Sequence, residues 1–291
     1  MPVDDSLLTG RLFTVIGAAG FVGQRVVARL RAAGACVYAP VRDDPALWQQ
    51  PLGQVIYAAG LTADYLARPF DTVQAHVSLL AQVLQRGQWE ALVYLSSTRL
   101  YDSLGAIDCT ESLPLQLNPA QPRHLYDLSK ALGESLCHSV GQGRARIARL
   151  ACVYEGIEDA DGFLPALLRQ ALAARVQACA VGPAARGVLS IDSSPAFERD
   201  YVQMADVVEA LLHILLQGQQ VVYNVASGCN VPNAALFDYL AQHGQCDVQA
   251  MQTGTPNPAP QISIARMRAE FDWQPRSVFE LLDSLYKELG C

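Results

Sequence analysis

An apolar run from Arg11 to Ile16 stops on Gly17-Ala18-Ala19-Gly20-Phe21-Val22-Gly23, and a helical pattern from Phe21 to Ala33 follows, ended by Gly34. Three glycines at a strand-to-helix junction leave few folds open. Side chains there would block the approach of a phosphate pair, whereas glycines expose backbone N–H groups at the positive end of a helix. Gly17, Gly20 and Gly23, with Phe21 and Val22 between the last two, are therefore the candidate phosphate-binding residues. The spacing is G-x-x-G-x-x-G, not G-x-G-x-x-G. The competing reading, a turn needed only for tight packing, is disfavoured by the helix and second strand that follow.

That second strand is expected over Cys36 to Val41. Further strands are expected over Gln54 to Ala59 and Ala91 to Ser97, with a long helix from Phe70 to Arg86 between them. A helix from Tyr126 to Gly141, a strand from Arg146 to Tyr154 and a helix from Phe163 to Arg175 continue the alternation. This is the pattern of an α/β, Rossmann-type doubly wound parallel sheet. Beyond Gly182 the pattern loosens. Ser190 to Pro195 is turn-rich, Met204 to Leu216 helical and Val221 to Ala226 a short strand. Phe237 to Gln242, the prolines Pro256, Pro258 and Pro260, and a helix from Val278 to Leu289 complete a small lobe. Residues 1–155 are read as the dinucleotide-binding core with its catalytic helix. Residues 156–291 are read as a mixed part that completes the sheet and forms the substrate lobe.

A hydrophobic content of 51% suffices for one large core, so disorder is excluded. The net charge of -7 is spread without a block of like charge, which argues against nucleic acid as a partner. No leader and no run of eighteen apolar residues is present, so the expectation is a cytoplasmic protein without a membrane partner. The eight cysteines form no C-x-x-C pair; free thiols and no metal site are expected.

At Tyr126-Asp127-Leu128-Ser129-Lys130 a Tyr and a Lys four residues apart share one helix face. A lysine ammonium beside a phenol draws its pKa towards neutrality, so Tyr126 can pass a proton to or from a substrate oxygen. Lys130 can also hold the cofactor ribose, and Ser97, at the end of a strand, can bond the same substrate oxygen. Tyr126 and Lys130 beside a nicotinamide make a hydride-transfer site. At the end of the second strand, Pro40-Val41-Arg42-Asp43 offers a cation where a NAD-selective site would place a carboxylate, which favours NADP. Asp43 or Asp44 would serve the alternative, NAD.

On these residues the chain resembles the extended short-chain dehydrogenases/reductases of the NAD-dependent epimerase/dehydratase family, whose members mostly act on nucleotide sugars. Val15 to Gly23 is similar to the family's glycine motif and Ala58-Ala59-Gly60 to its third-strand turn at the cofactor. Tyr94 to Tyr101 is similar to its Ser-Ser-x-x-x-Tyr segment, which implies Ser96 as a cofactor contact and Thr98 as a substrate contact. Glu111 to Pro114, Pro119, Gly133, Glu134, Arg199 to Val202 with Asp206, and Tyr223 to Gly228 match further landmarks. The resemblance makes Arg199 the first diphosphate ligand and Arg186 the second, with Cys152 standing where epimerases often carry Asn. Family dehydratases carry an Asp-Glu pair after the catalytic Ser or Thr, whereas this chain has Thr98-Arg99, so dehydration is disfavoured. His124 is read as a loop residue.

The expected function is thus NADP-linked oxidoreduction or epimerisation of a nucleotide-diphosphate sugar, keto-reduction first and C4 epimerisation second. A non-catalytic dinucleotide sensor on the same fold is the alternative of another class; it would have no use for the proton relay. Val73, Val77, Leu80, Val83 and Leu84 on one helix, and Leu128, Leu132, Leu136 and Val140 on another, give apolar faces through which the resemblance implies a homodimer.

Overall fold

Six parallel strands form the centre of the molecule, in the order β2 (Cys36–Tyr38), β1 (Leu12–Ile16), β3 (Pro51–Tyr57), β4 (Gln88–Ser97), β6 (Ala145–Leu150) and β10 (Val222–Val225). The computed structural model describes residues 2–182, 185–254 and 259–288. Pro256, Pro258 and Leu289 lie outside the described residues. Parallel strands covered on both faces must be apolar throughout. Phe13, Val15 and Ile16 of β1 are buried accordingly, and the one polar residue among them, Thr14, donates to the Leu52 carbonyl at 2.7 Å.

Helices cover both faces. On one lie α1 (Phe21–Ala32) and α6 (Met204–Gln217); α6 packs on α1 and on β3, β4 and β6, and buries Val207, Val208, Leu211, Leu212, Ile214 and Leu215. On the other lie α2 (Pro69–Val73), α3 (Leu79–Arg86) and α4 (His124–Val140). The predicted helix Phe70 to Arg86 is interrupted: α2 and α3 are joined by one π-helical turn, Gln74–Ser78, which turns His76 fully into the interior.

The strand expected from Arg146 to Tyr154 breaks after Leu150. Its second piece, β7 (Cys152–Tyr154), leaves the central sheet and pairs with β9 (Glu198–Gln203), which also carries β11 (Asn230–Pro232). A parallel pair, β8 (Gly187–Ile191) with β12 (Cys246–Ala250), lies against α5 (Phe163–Val181), which runs six residues past the expected end at Arg175. Helices α7 (Asn233–Gln242) and α9 (Val278–Glu288) share an apolar cluster with α5, including Leu164, Leu168, Leu189, Leu236, Leu240 and Leu282. The pair β5 (Asp108–Cys109) and β13 (Gln261–Ile262), followed by α8 (Ala265–Phe271), ties the lobe back to the sheet. Strand β10, from the second half of the chain, closes the central sheet beside β6.

Strand β2 ends at Tyr38, three residues before the expected end, because Pro40 cannot donate to a ladder and Asp43 takes a left-handed φ of 60°. Of the apolar face expected on the Phe70 to Arg86 helix, Leu80 and Val83 are fully buried in the chain's own core. Among the described residues, no helix is long and apolar enough to cross a membrane.

Candidate active site

Strand β1 has β2 on one side and β3 on the other, so successive crossovers run in opposite directions and a crevice opens at the carboxyl ends of β1 and β3. Gly17 leaves β1 into that crevice with φ +88°. A Cβ on Gly17 would stand 2.5 Å from the Ala59 nitrogen, and one on Gly23 would stand 2.2 Å from the Gly17 oxygen. These two glycines let the β1 exit, the β3 exit and α1 close on one another. Gly20 differs. A Cβ there would meet only the Gly17 oxygen, at 3.3 Å, and Gly20 caps α1 without a side-chain hydrogen bond. The first N–H groups of α1 have no intrahelical acceptor, as at any helix start, an arrangement that fits a pyrophosphate. Phe21 is exposed and Val22, Ala58 and Ala59 are half-buried around it.

The next wall is the end of β4 and the first turns of α4. Tyr126 is buried, with Ser97 and Thr62 near its phenol. Burial pushes the phenol above its ordinary pKa, while the Ser97 hydroxyl, the Arg99 charge and the Thr62 hydroxyl draw it back. Ser97 Oγ also accepts from the Arg99 N–H at 3.2 Å, which fixes the hydroxyl at the strand end. Lys130 lies one turn along α4 from Tyr126. Its Nζ donates to the Leu95 carbonyl at 2.8 Å and sits 5.8 Å from the Tyr126 ring centroid. Burial lowers the Lys130 pKa to about 7. A Cβ on Gly60 would stand 3.3 Å from Lys130 Nζ, so the β3 exit and Lys130 face one another.

His76 and the placement of Arg99 escape the sequence reading. His76 accepts from the Leu61 N–H on Nε2 at 3.1 Å, so its proton is on Nδ1, which donates to Ser129 Oγ at 2.8 Å; Ser129 in turn donates to the Tyr126 carbonyl at 2.7 Å. Burial first, and the Lys130 charge second, lower the His76 pKa to about 2, so it is neutral at any working pH. It locks the loop after β3 to α4. Arg99, singled out in the sequence only for what it replaces, lays its guanidinium 4.6 Å from the Tyr126 centroid and 5.1 Å from that of Tyr65. A buried histidine on a long helix leaves no periodicity of its own; the run Thr98-Arg99 was the one visible signal.

The remaining candidates divide. Cys152 and Arg199 come together, Arg199 Nη1 lying 3.6 Å from the Cys152 sulfur across the β7–β9 pair. Thr98 donates to the Leu150 carbonyl at 3.3 Å. Arg186 does not join them: its guanidinium is held by Asp247 at 2.7 Å and by the Ala241 carbonyl at 2.7 Å, which clamps β8 to β12 and its neighbour α7. Ser96 donates to Glu134 at 2.6 Å within a buried network, so its hydroxyl is committed to the interior. His124 is not a loop residue but the buried first residue of α4, accepting from the Asn118 N–H at 2.8 Å. Arg42 is exposed beyond β2 and makes no hydrogen bond or ion pair with the described residues. Asp44 is occupied, accepting from Tyr38 Oη at 2.9 Å and from the Ala46 N–H at 3.0 Å.

The sequence model of the NAD dependent epimerase/dehydratase family matches residues 13–226. No curated protein matches the chain by sequence. Among solved structures, an epimerase from Methanothermobacter thermautotrophicus superposes with a TM-score of 0.72 at 18% identity, covering 97% of this chain and 94% of that one. RMD from Pseudomonas aeruginosa, complexed with NADPH, gives 0.69 at 24% identity over 93% and 95%. UDP-glucuronic acid 4-epimerase from Bacillus cereus, with UDP-glucuronic acid and NAD, gives 0.72 at 18% over 94% and 98%. These likenesses carry the fold: a mostly parallel sheet flanked by helices.

Proposed function

The chain belongs to the NAD dependent epimerase/dehydratase family, and on that premise we propose that it reduces a keto group on a nucleotide-diphosphate sugar with NADPH. The observation that carries the reading is the meeting of Ser97, Tyr126 and Lys130 beside Gly60 at the mouth of the glycine crevice. The glycine turn, the Ala58-Ala59-Gly60 exit and Lys130 would hold the dinucleotide. When bound, the nicotinamide supplies hydride to the keto carbon. Tyr126 delivers the proton to the keto oxygen, Ser97 steadies that oxygen as charge builds on it, and burial at the strand end keeps water from competing. Arg199, beside Cys152, is the diphosphate ligand, since a guanidinium can bond phosphate oxygens in pairs.

Support for NADPH comes from Arg42, whose donors are uncommitted, and from Asp44, whose carboxylate is taken by Tyr38 and Ala46. Loss of water is disfavoured because Thr98 and Arg99 stand where a dehydratase carries Asp and Glu. The test is to supply NADPH with a panel of nucleotide keto-sugars, using the parent and Arg42→Ala. Stoichiometric consumption of NADPH is expected, and Arg42→Ala should weaken NADPH by about tenfold or more with little change for NADH. Interconversion of two sugars without net NADPH consumption would replace reduction by epimerisation; equal losses for both cofactors would remove the NADP preference.

We also propose a homodimer. Phe70 is 87% exposed and Leu132 51% exposed, and Val73 and Val140 are exposed beside them on α2 and α4, while Val77, Leu84, Leu128 and Leu136 are half-buried. Such an apolar surface on two adjacent helices is a contact surface in want of a partner. Light scattering should return twice 31.5 kDa. A concentration-independent mass of one chain would rule the dimer out.

A further inference from the structure

The cation nearest the Tyr126 ring is not Lys130. Arg99 Cζ stands 4.6 Å from the ring centroid and Lys130 Nζ 5.8 Å, with the lysine turned to the Leu95 carbonyl. Arg99 is held there from two sides: its stem rises from the short helix capped by Ser97, and its Nη2 donates to Tyr65 Oη at 3.3 Å. Tyr65 itself packs on Tyr126, with centroids 5.5 Å apart. Arg99 also forms one long ion pair. Asp127 Oδ1 is 3.9 Å from Arg99 Nε, is buried and has no hydrogen-bond partner among the described residues.

We propose that Arg99 is a positioning residue for proton transfer, the permanent cation beside the ring that favours the ionised form of Tyr126. The assignment rests on the reading of Tyr126 as proton donor. When Tyr126 gives up its O–H proton to the substrate oxygen, the charge left on the phenolate lies beside a guanidinium that never deprotonates in the working range. Lys130, by contrast, titrates at about 7. The other groups around the ring do not replace Arg99. His76, edge-on at 5.3 Å, is neutral; Thr62, Tyr65, Tyr94 and Ser97 carry no charge; Asp127 opposes ionisation.

The experiment needs no substrate. Tyr126→difluorotyrosine brings the phenol into a pH range where the fold is safe and gives it a phenolate absorbance that titrates apart from the other tyrosines. In that background, removing the charge with Arg99→Met, whose stem still spans both rings, should raise the midpoint by about one pH unit or more. Arg99→Gln repeats the test should the Met variant not fold. Arg99→Lys should return most of the shift, and Lys130→Met should move the midpoint less than Arg99→Met. A midpoint unchanged by charge removal, or moved as far by Lys as by Met, overturns the assignment. Because turnover is not read, that outcome is distinct from failure of the proposed reaction.

Discussion

Tyr126→Phe should lower turnover by at least about a hundredfold, the usual scale for losing a positioned general acid, with dinucleotide affinity changed by less than about threefold. The asymmetry follows from where the side chain sits. Its ring is packed between Tyr65, at 5.5 Å, and His76, at 5.3 Å, and Phe can keep both contacts. What is lost is the phenol oxygen near Ser97 and Thr62, the atom assigned to deliver the proton. Steady-state kinetics on the identified substrate, with a separate titration of cofactor by fluorescence, separates the two quantities. Activity retained above a few per cent would mean that the proton travels by another path, and the assignment of Tyr126 would have to be given up.

The parts of this site legible in the sequence are those where backbone geometry forces a residue type. Gly17 and Gly23 stand where a Cβ would collide with backbone, so no other residue fits, and a pattern reader finds them. Tyr126 and Lys130 are legible because four residues on a helix set their relation before any tertiary contact forms. The strands β1 and β4 are legible from apolar content. What escaped depends on contacts between distant segments. The π-helical turn that points His76 inward has no sequence signature, and its partners Leu61 and Ser129 come from two other elements. Arg186 and Ser96 look like ligands by position, yet each finds a closer partner, Asp247 and Glu134, that only folding reveals. The break between β6 and β7 is likewise tertiary: an apolar run is continuous in sequence, but Cys152 registers with Tyr201 of another sheet.

The same buried network yields the largest expected effect on stability. Glu134 Oε1 accepts from Ser96 at 2.6 Å and from Arg149 Nε at 2.9 Å, and Oε2 accepts from Arg149 Nη2 at 2.6 Å. Both side chains of the pair are 5% exposed. Arg149 Nη1 continues to Tyr101 Oη at 2.6 Å, and Tyr101 to Asn224 at 2.9 Å, so one chain of bonds joins α4, β4, β6 and β10. Glu134→Ala would leave a guanidinium buried with only a phenol for company and should cost about 3–5 kcal/mol, the scale for stripping one partner from a buried pair. Glu134→Gln, which keeps an acceptor for Ser96, should cost less. Replacing both partners with apolar residues, Glu134→Leu with Arg149→Met, should recover most of the loss, because the desolvation penalty of both charges disappears with their attraction. Urea unfolding at constant slope reads all three. Helix α4 carries Tyr126 and Lys130, so the double variant also asks whether the pair serves stability alone: recovered stability with depressed turnover would show that Glu134 and Arg149 hold the register of the catalytic helix. A loss below about 1 kcal/mol in Glu134→Ala would mean that water reaches Arg149 and that the network is not the tie between helix and sheet described above.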